Sequence, residues 1–201
     1  DGIDQLEDDG IADAFNKGVR LSTGSAIVFL NSGDVLLSQD YLTRSMKYLA
    51  RHDDVGFVHA AIVFEDRLAG KIVLEPSLSS LGRGMPYRHQ TMIVRGAVFD
   101  AIGHFDTELK ATMDYDFVCR MHKRGIEGYY DNSEAVVLMD GGGISSTQEL
   151  FAYRETMKVL ARHGLLGPRN LVGCVVRYAM YFCCRGLEVF GLKGTLVTLK
   201  K

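Results

Sequence analysis

Three short stretches hold residue types that could do chemistry. Asn31-Ser32-Gly33-Asp34 follows the apolar run Ala26-Ile27-Val28-Phe29-Leu30. Open α/β sheets bind ligands just past the carboxyl ends of their strands. A carboxylate there can hold a hard divalent cation shared with substrate phosphates and water. The same four residues also make a plain Asx/Gly turn that ends a strand. Met113-Asp114-Tyr115-Asp116 opens a helical segment. Acids at that place are favoured by the helix dipole; alternatively, one of them is a general base that deprotonates a hydroxyl in a cleft. The residues alone leave that choice open. Gly141-Gly142-Gly143-Ile144-Ser145-Ser146 can present backbone N–H groups to a phosphate. It has neither GxGxxG spacing nor the lysine of a P-loop, and such runs also serve as flexible loops. The six histidines form no HExxH or other metal-spaced pair. No G-x-S-x-G elbow and no partnered cysteine points to covalent catalysis.

Periodicity shows which elements must position these stretches. Asp9 to Thr23 has helical apolar spacing (Ile11, Ala14, Phe15, Val19), with Gly24 as its stop. Ala26–Leu30 is a continuous apolar run, the pattern of a strand buried on both faces. A second helix is expected over Ser38–Arg51, with Ser38 as N-cap. Strands are expected over Val55–Phe64, Thr91–Val94 and Glu134–Met139. The stretch Asp66–Arg88 has little period and is read as a loop with a short strand at Lys71–Leu74. Helices are expected over Arg95–Gly103, Asp114–Lys123 (ended by Gly125), Thr147–His163 and within Asn170–Phe190. Strands alternating with helices predict an α/β domain with a mainly parallel sheet.

The composition narrows the class. The 201 residues carry 23 Lys+Arg and 25 Asp+Glu, a net charge of -2. That balance argues against a dedicated nucleic-acid binder, which would show a basic excess. With 47% hydrophobic and 24% charged residues, the chain has the composition of a globular domain rather than a disordered one. The 22 glycines predict tight turns and close backbone approaches. Cys119, Cys174, Cys183 and Cys184 have no CxxC spacing, which predicts free thiols in a reducing cytosol.

Taken in order, three blocks resemble the inverting family-2 glycosyltransferases of GT-A fold, in the branch that builds bacterial exopolysaccharide, colanic acid and O-antigen. Asp8-Asp9-Gly10-Ile11-Ala12-Asp13-Ala14-Phe15-Asn16-Lys17-Gly18 resembles that branch's D-x-G-I-x-D-A-x-N-K-G segment. Gly24 through Asp34 is similar to its strand leading into the DxD-type metal motif. His89-Gln90 through Arg120 resembles its H-Q, G-x-F-D and D-Y-D-x-x-x-R block. The match runs from about Asp8 to Ser146.

The resemblance implies roles residue by residue. Asp34 would bind Mn²⁺ or Mg²⁺ against the donor diphosphate. Asn31 stands where many members have the first acid of DxD, and Gly33 replaces another acid. Asp114 would be the catalytic base, supported by Asp116 and braced by Arg120. Asp13, Asn16 and Lys17 would border the nucleotide-sugar, with Asn31, His89 and Gln90 also in the substrate site. Gly142, Gly143 and Ser145 would form the G-G-x-S loop beside it. The implied reaction transfers a sugar, with inversion, from a nucleotide-diphosphate sugar to a saccharide acceptor carried on lipid.

The resembled enzymes open with a strand, a P-x-Y-N-like turn and a second strand whose final acid reads the nucleotide base. None of these precedes Asp8, so the resemblance predicts a partial GT-A domain over 1–165 that holds donor weakly by itself. Residues 166–201 form a C-terminal segment of apolar and aromatic residues interspersed with Arg169, Arg177, Arg185 and Lys193. It is too interrupted by arginine to span a bilayer. It fits an amphipathic helix lying on the inner face of the plasma membrane, or one packed on the domain or on a second copy of the chain. Two other functions remain open: a sugar nucleotidyltransferase, and a non-catalytic remnant of the fold serving as an interaction module.

Overall fold

The computed structural model describes residues 7–66, 70–77, 81–139 and 149–189. Its spine is a pair of long strands, β3 (Val55–Asp66) and β6 (Glu127–Met139). Both are rich in β-branched and aromatic residues, which suit a pleated surface. They run parallel from Val55↔Glu127 to Phe64↔Met139. Around this pair lie β1 (Ala26–Ile27), β2 (Val35–Leu36), β4 (Gly70–Leu74) and β5 (Ile93–Arg95). The order is β1-β5-β3-β6-β2, with β4 paired to β3. The α/β class holds, but the expected mainly parallel sheet is mixed: among the described strands every pairing except β3–β6 is antiparallel.

Alternation along β3 and β5 divides the core between the two faces of the sheet. Phe57 and Val94 join one cluster with helices α1 (Ile11–Leu21), α3 (Gly96–Ile102) and α4 (Met113–Lys123). Val58, Ala60, Ile62 and Ile93 join another with α2 (Tyr41–Leu49). Helix α2 buries Tyr41, Ser45 and Leu49, an i, i+4, i+8 stripe. Helix α4 buries seven of its eleven residues and is the central helix of its layer. Helix α5 (Glu149–Arg162) packs on α4. Helix α6 (Pro168–Val189) follows it. The expected close approach of glycine backbone occurs at Gly128, where a Cβ would fall 2.2 Å from the Phe57 ring.

Several boundaries depart from expectation. Helix α1 ends at Leu21, because Ser22 is already extended at φ -69, ψ 129; Gly24 is not its stop. The run Ala26–Leu30 gives only the two-residue β1, and Val28 and Leu30 are 38% and 46% exposed. It is an edge strand rather than one buried on both faces. The N-cap of α2 is Asp40; the Ser38 hydroxyl instead donates to Glu134 and Asp40. Strand β2 was not legible in the sequence, and β6 begins at Glu127 rather than Glu134.

Candidate active site

Asp114 sits in the first turn of α4, where the unpaired N–H groups of the helix start favour a negative charge. Its Oδ1 accepts the Tyr115 N–H at 2.8 Å. Its Oδ2 faces His89 Nδ1 at 3.4 Å. His89 lies at the head of a 3-10 turn, His89–Thr91, which leads into β5. The other face of its imidazole, Nε2, lies 3.1 Å from Asn31 Nδ2. Asn31 opens the turn between β1 and β2, closed by the Asp34 N–H donating to the Asn31 carbonyl at 3.1 Å. Gly33 holds a φ of 93° in that turn, the left-handed region that glycine adopts freely. Three segments distant in the chain thus meet in one line, Asn31–His89–Asp114, and the turn that contributes Asn31 also carries Asp34.

His89 and Asp114 are the titratable groups lining a cavity of about 20 Å³. Phe15, Phe29, Phe105 and Met92 supply apolar wall. The cavity has room for about one water, so any larger ligand would have to lie on the open side of Asp114, whose side chain is 22% exposed.

The start of α4 is held from behind by buried charge. Asp116 is 2% exposed. It accepts from Arg120 Nε at 2.9 Å and meets His163 Nε2 at 2.8 Å. Arg120 also donates to the carbonyls of Ile102 and His104, each at 2.7 Å, which fastens α4 to the end of α3. Glu155, 2% exposed on α5, accepts the backbone N–H groups of Lys110 at 2.9 Å and Ala111 at 2.7 Å. The segment entering α4 is thereby fixed. Sequence reasoning missed Glu155 and His163. The available signal was an acid at 155 on the stripe that buries Ala152 and Val159, since a charge on a buried stripe demands a partner.

The remaining expected site residues lie outside the Asn31–His89–Asp114 line. Asp13 and Lys17 pair with each other at 2.7 Å on α1, and Lys17 also reaches Asp8 at 3.1 Å. The Lys17 ammonium holds the Asp13 carboxyl below its usual range, and Asp13 raises Lys17 in return. Asn16 was expected to border the nucleotide-sugar. Its amide is instead engaged on both sides by the backbone of Phe105, donating to the carbonyl at 2.9 Å and accepting the N–H at 2.8 Å. Burial at 6% exposure makes it a fastening between α1 and the loop after α3. Gln90 is buried beside His89. Gly142, Gly143 and Ser145 lie outside the described residues.

Among the described residues no group of three or more His, Cys, Asp and Glu side chains could hold a metal ion. A cation that keeps its water and substrate phosphates needs only one or two protein carboxylates. The chemistry of the Asn31–Asp34 turn, with its single carboxylate, fits that mode of binding and no closed protein cage.

The fold is GT-A-like, as in solved glycosyltransferase domains. Staphylococcus aureus TarS 1-349, solved in complex with UDP-GlcNAc, superposes with a TM-score of 0.58 at 16% identity, covering 82% of this chain and 49% of TarS 1-349. The mannosyltransferase PcManGT of Pyrobaculum calidifontis, solved with GDP-Man and Mn²⁺, gives 0.52 at 16% identity, covering 94% and 59%. In sequence, the chain is 26% identical over 175 residues to PGL/p-HBAD biosynthesis glycosyltransferases of Mycobacterium tuberculosis and Mycobacterium bovis, covering 85% of this chain. It spans 66% of the length of those relatives. No family model matches it.

Proposed function

We propose that this chain is the catalytic portion of an inverting, family-2-type glycosyltransferase. It would move a sugar from a nucleotide-diphosphate sugar to a hydroxyl of a saccharide acceptor in the assembly of a bacterial surface glycan. The observation that carries this reading is the line Asn31–His89–Asp114, which joins the turn bearing Asp34 to the start of α4. The relatives' names support the transferase class. The donors bound to TarS and PcManGT support a nucleotide-sugar substrate.

In this reading Asp114 is the base. The acceptor oxygen bonds to the anomeric carbon as the bond from that carbon to the diphosphate oxygen breaks. The acceptor proton passes to Asp114, and the electron pair leaves with the nucleotide diphosphate. One displacement inverts the anomeric centre. Asp34 would hold a divalent cation, Mn²⁺ or Mg²⁺, against the diphosphate, where such a cation offsets the leaving group's charge. The neighbour solved with Mn²⁺ and GDP-Man supports that choice. Asp116, Arg120 and Glu155 hold the base in place, which matters because misplacement of a reacting group by about 1 Å can cost about 100-fold in rate.

The membrane enters through α6. Leu171, Val172, Val175, Val176 and Phe182 are 47–63% exposed, while Cys174 is buried and the Tyr178 ring lies tilted against Tyr153, centroids 5.5 Å apart. Among the described residues no helix is long and apolar enough to cross a membrane. Helix α6 would therefore lie on a membrane surface and bring the cleft to a lipid-linked acceptor.

The direct test is sugar transfer from UDP-, GDP- and TDP-sugars with Mn²⁺, comparing the chain with its Asp114→Asn variant. Turnover should fall at least ~100-fold with donor binding retained, the scale of general-base loss. Undiminished turnover in the variant would remove Asp114 as the base.

A further inference from the structure

We infer that Asn31 is a positioning residue that sets the tautomer of His89, so that the imidazole turns an N–H toward Asp114. The amide nitrogen of Asn31 has hydrogens and no lone pair to offer. At 3.1 Å from His89 Nε2, it requires that nitrogen to be the acceptor. A neutral imidazole carries its one proton on the opposite nitrogen, here Nδ1, which lies 3.4 Å from Asp114 Oδ2. The Asp114 carboxylate then accepts the Tyr115 N–H on Oδ1 while the imidazole N–H faces Oδ2 at 3.4 Å, beyond ordinary hydrogen-bond length, which leaves Oδ2 able to take a proton from an incoming hydroxyl. The ring itself is held beside Phe15, with centroids 6.3 Å apart.

Position 31 requires an amide for this arrangement. A carboxylate there can only accept, so it would compete with Asp114 for the ring proton and release the neutral imidazole from the Nδ1–H tautomer. Asn31 therefore serves the base at long range, through His89, rather than touching substrate. The kinetic consequence rests on Asp114 being the base; the tautomer does not.

The experiment uses the 201-residue chain labelled with ¹⁵N in its histidine rings, at a pH where the ring is neutral. Two-bond ¹H–¹⁵N correlations give the tautomer, and loss of the signal in His89→Gln assigns it. The expected result is His89 protonated on Nδ1 in the native chain and an added Nε2-protonated population in Asn31→Asp. Sugar transfer by Asn31→Asp should show kcat lowered ~10- to 100-fold, the scale for a misplaced reacting group, with donor KM changed by less than ~3-fold. His89 protonated on Nε2 in the native chain would overturn the inference, whether or not Asn31→Asp folds. An added Nε2-protonated population with unchanged kcat, or a rise confined to KM, would overturn the positioning role. Failure of every donor in the transfer assay, with the expected tautomer present, would count against the glycosyltransferase reading and leave the tautomer assignment supported.

Discussion

Asn16 and Phe105 share two hydrogen bonds, one from the Asn16 amide to the Phe105 carbonyl and one from the Phe105 N–H to the Asn16 carbonyl oxygen. A single side chain thus replaces a backbone partner for a buried loop, and it joins α1 to the segment that leads to α4. Asn16→Ala leaves both Phe105 groups without a partner. At about 1–3 kcal/mol for each unmet buried group, urea unfolding should show a loss of about 2–6 kcal/mol. A loss under about 0.5 kcal/mol would show that the loop finds other partners.

Glu155 makes a parallel case on the other side of α4. Glu155→Gln keeps one acceptor oxygen but turns an NH₂ group toward a backbone N–H. Amide hydrogen exchange at Lys110 and Ala111 should accelerate by about 10- to 100-fold, corresponding to about 1–3 kcal/mol of lost protection. Unchanged exchange at those two amides would show that the contact does not order the segment.

The buried His59 gives the fold a pH dependence. Burial at 3% exposure lowers its pKa from 6.5 to about 4, and its Nδ1 has no hydrogen-bond partner among the described residues. Between those values the unfolded chain binds the proton and the folded chain does not. Stability is therefore full above 6.5 and falls as pH drops toward 4, by up to about 3 kcal/mol. Urea midpoints for the chain and for His59→Phe should diverge in that window, the variant being the flatter. Parallel curves would assign the acid sensitivity to other groups.

For the cation, Asp34→Ala should weaken Mn²⁺-dependent binding of a nucleoside diphosphate roughly 10-fold or more, the scale of a lost charged contact. Native affinity that persists in excess chelator would remove the metal from the proposal.

For α6, Val172→Asp with Val176→Asp should cut flotation with anionic vesicles by about 10-fold, since each valine carries apolar surface out of water when it inserts. Flotation that is absent in the native chain, or unaltered in the variant, would direct that face to a protein partner instead.

The helices and long strands were legible in the sequence because their periodicity reports burial directly. The stripe Tyr41, Ser45, Leu49 and the runs within β3 and β6 are of that kind. Ala26–Leu30 misled because a continuous apolar run does not say how many of its residues pair; only two do, and Val28 and Leu30 face outward. The chain gave Asp114, His89 and Asn31 as candidates but not their order in space, which depends on a 3-10 turn and a glycine turn bringing three segments together. The pairing of the Asn16 amide with the Phe105 backbone could not be read from the sequence, because it joins residues 89 apart. The two long strands formed over the expected runs, whereas the short flanking strands set the mixed character of the sheet by long-range pairing that no local pattern encodes.

The two sides of the cleft differ in what anchors them. Asp114 is backed by Glu155, Arg120, Asp116 and the densely buried α4. The turn carrying Asn31 and Asp34 hangs between strands of two residues, each held by two register pairs. Opening free energies should follow that difference: one jaw is stiff and keeps its shape, while the opposing jaw can yield by small rotations.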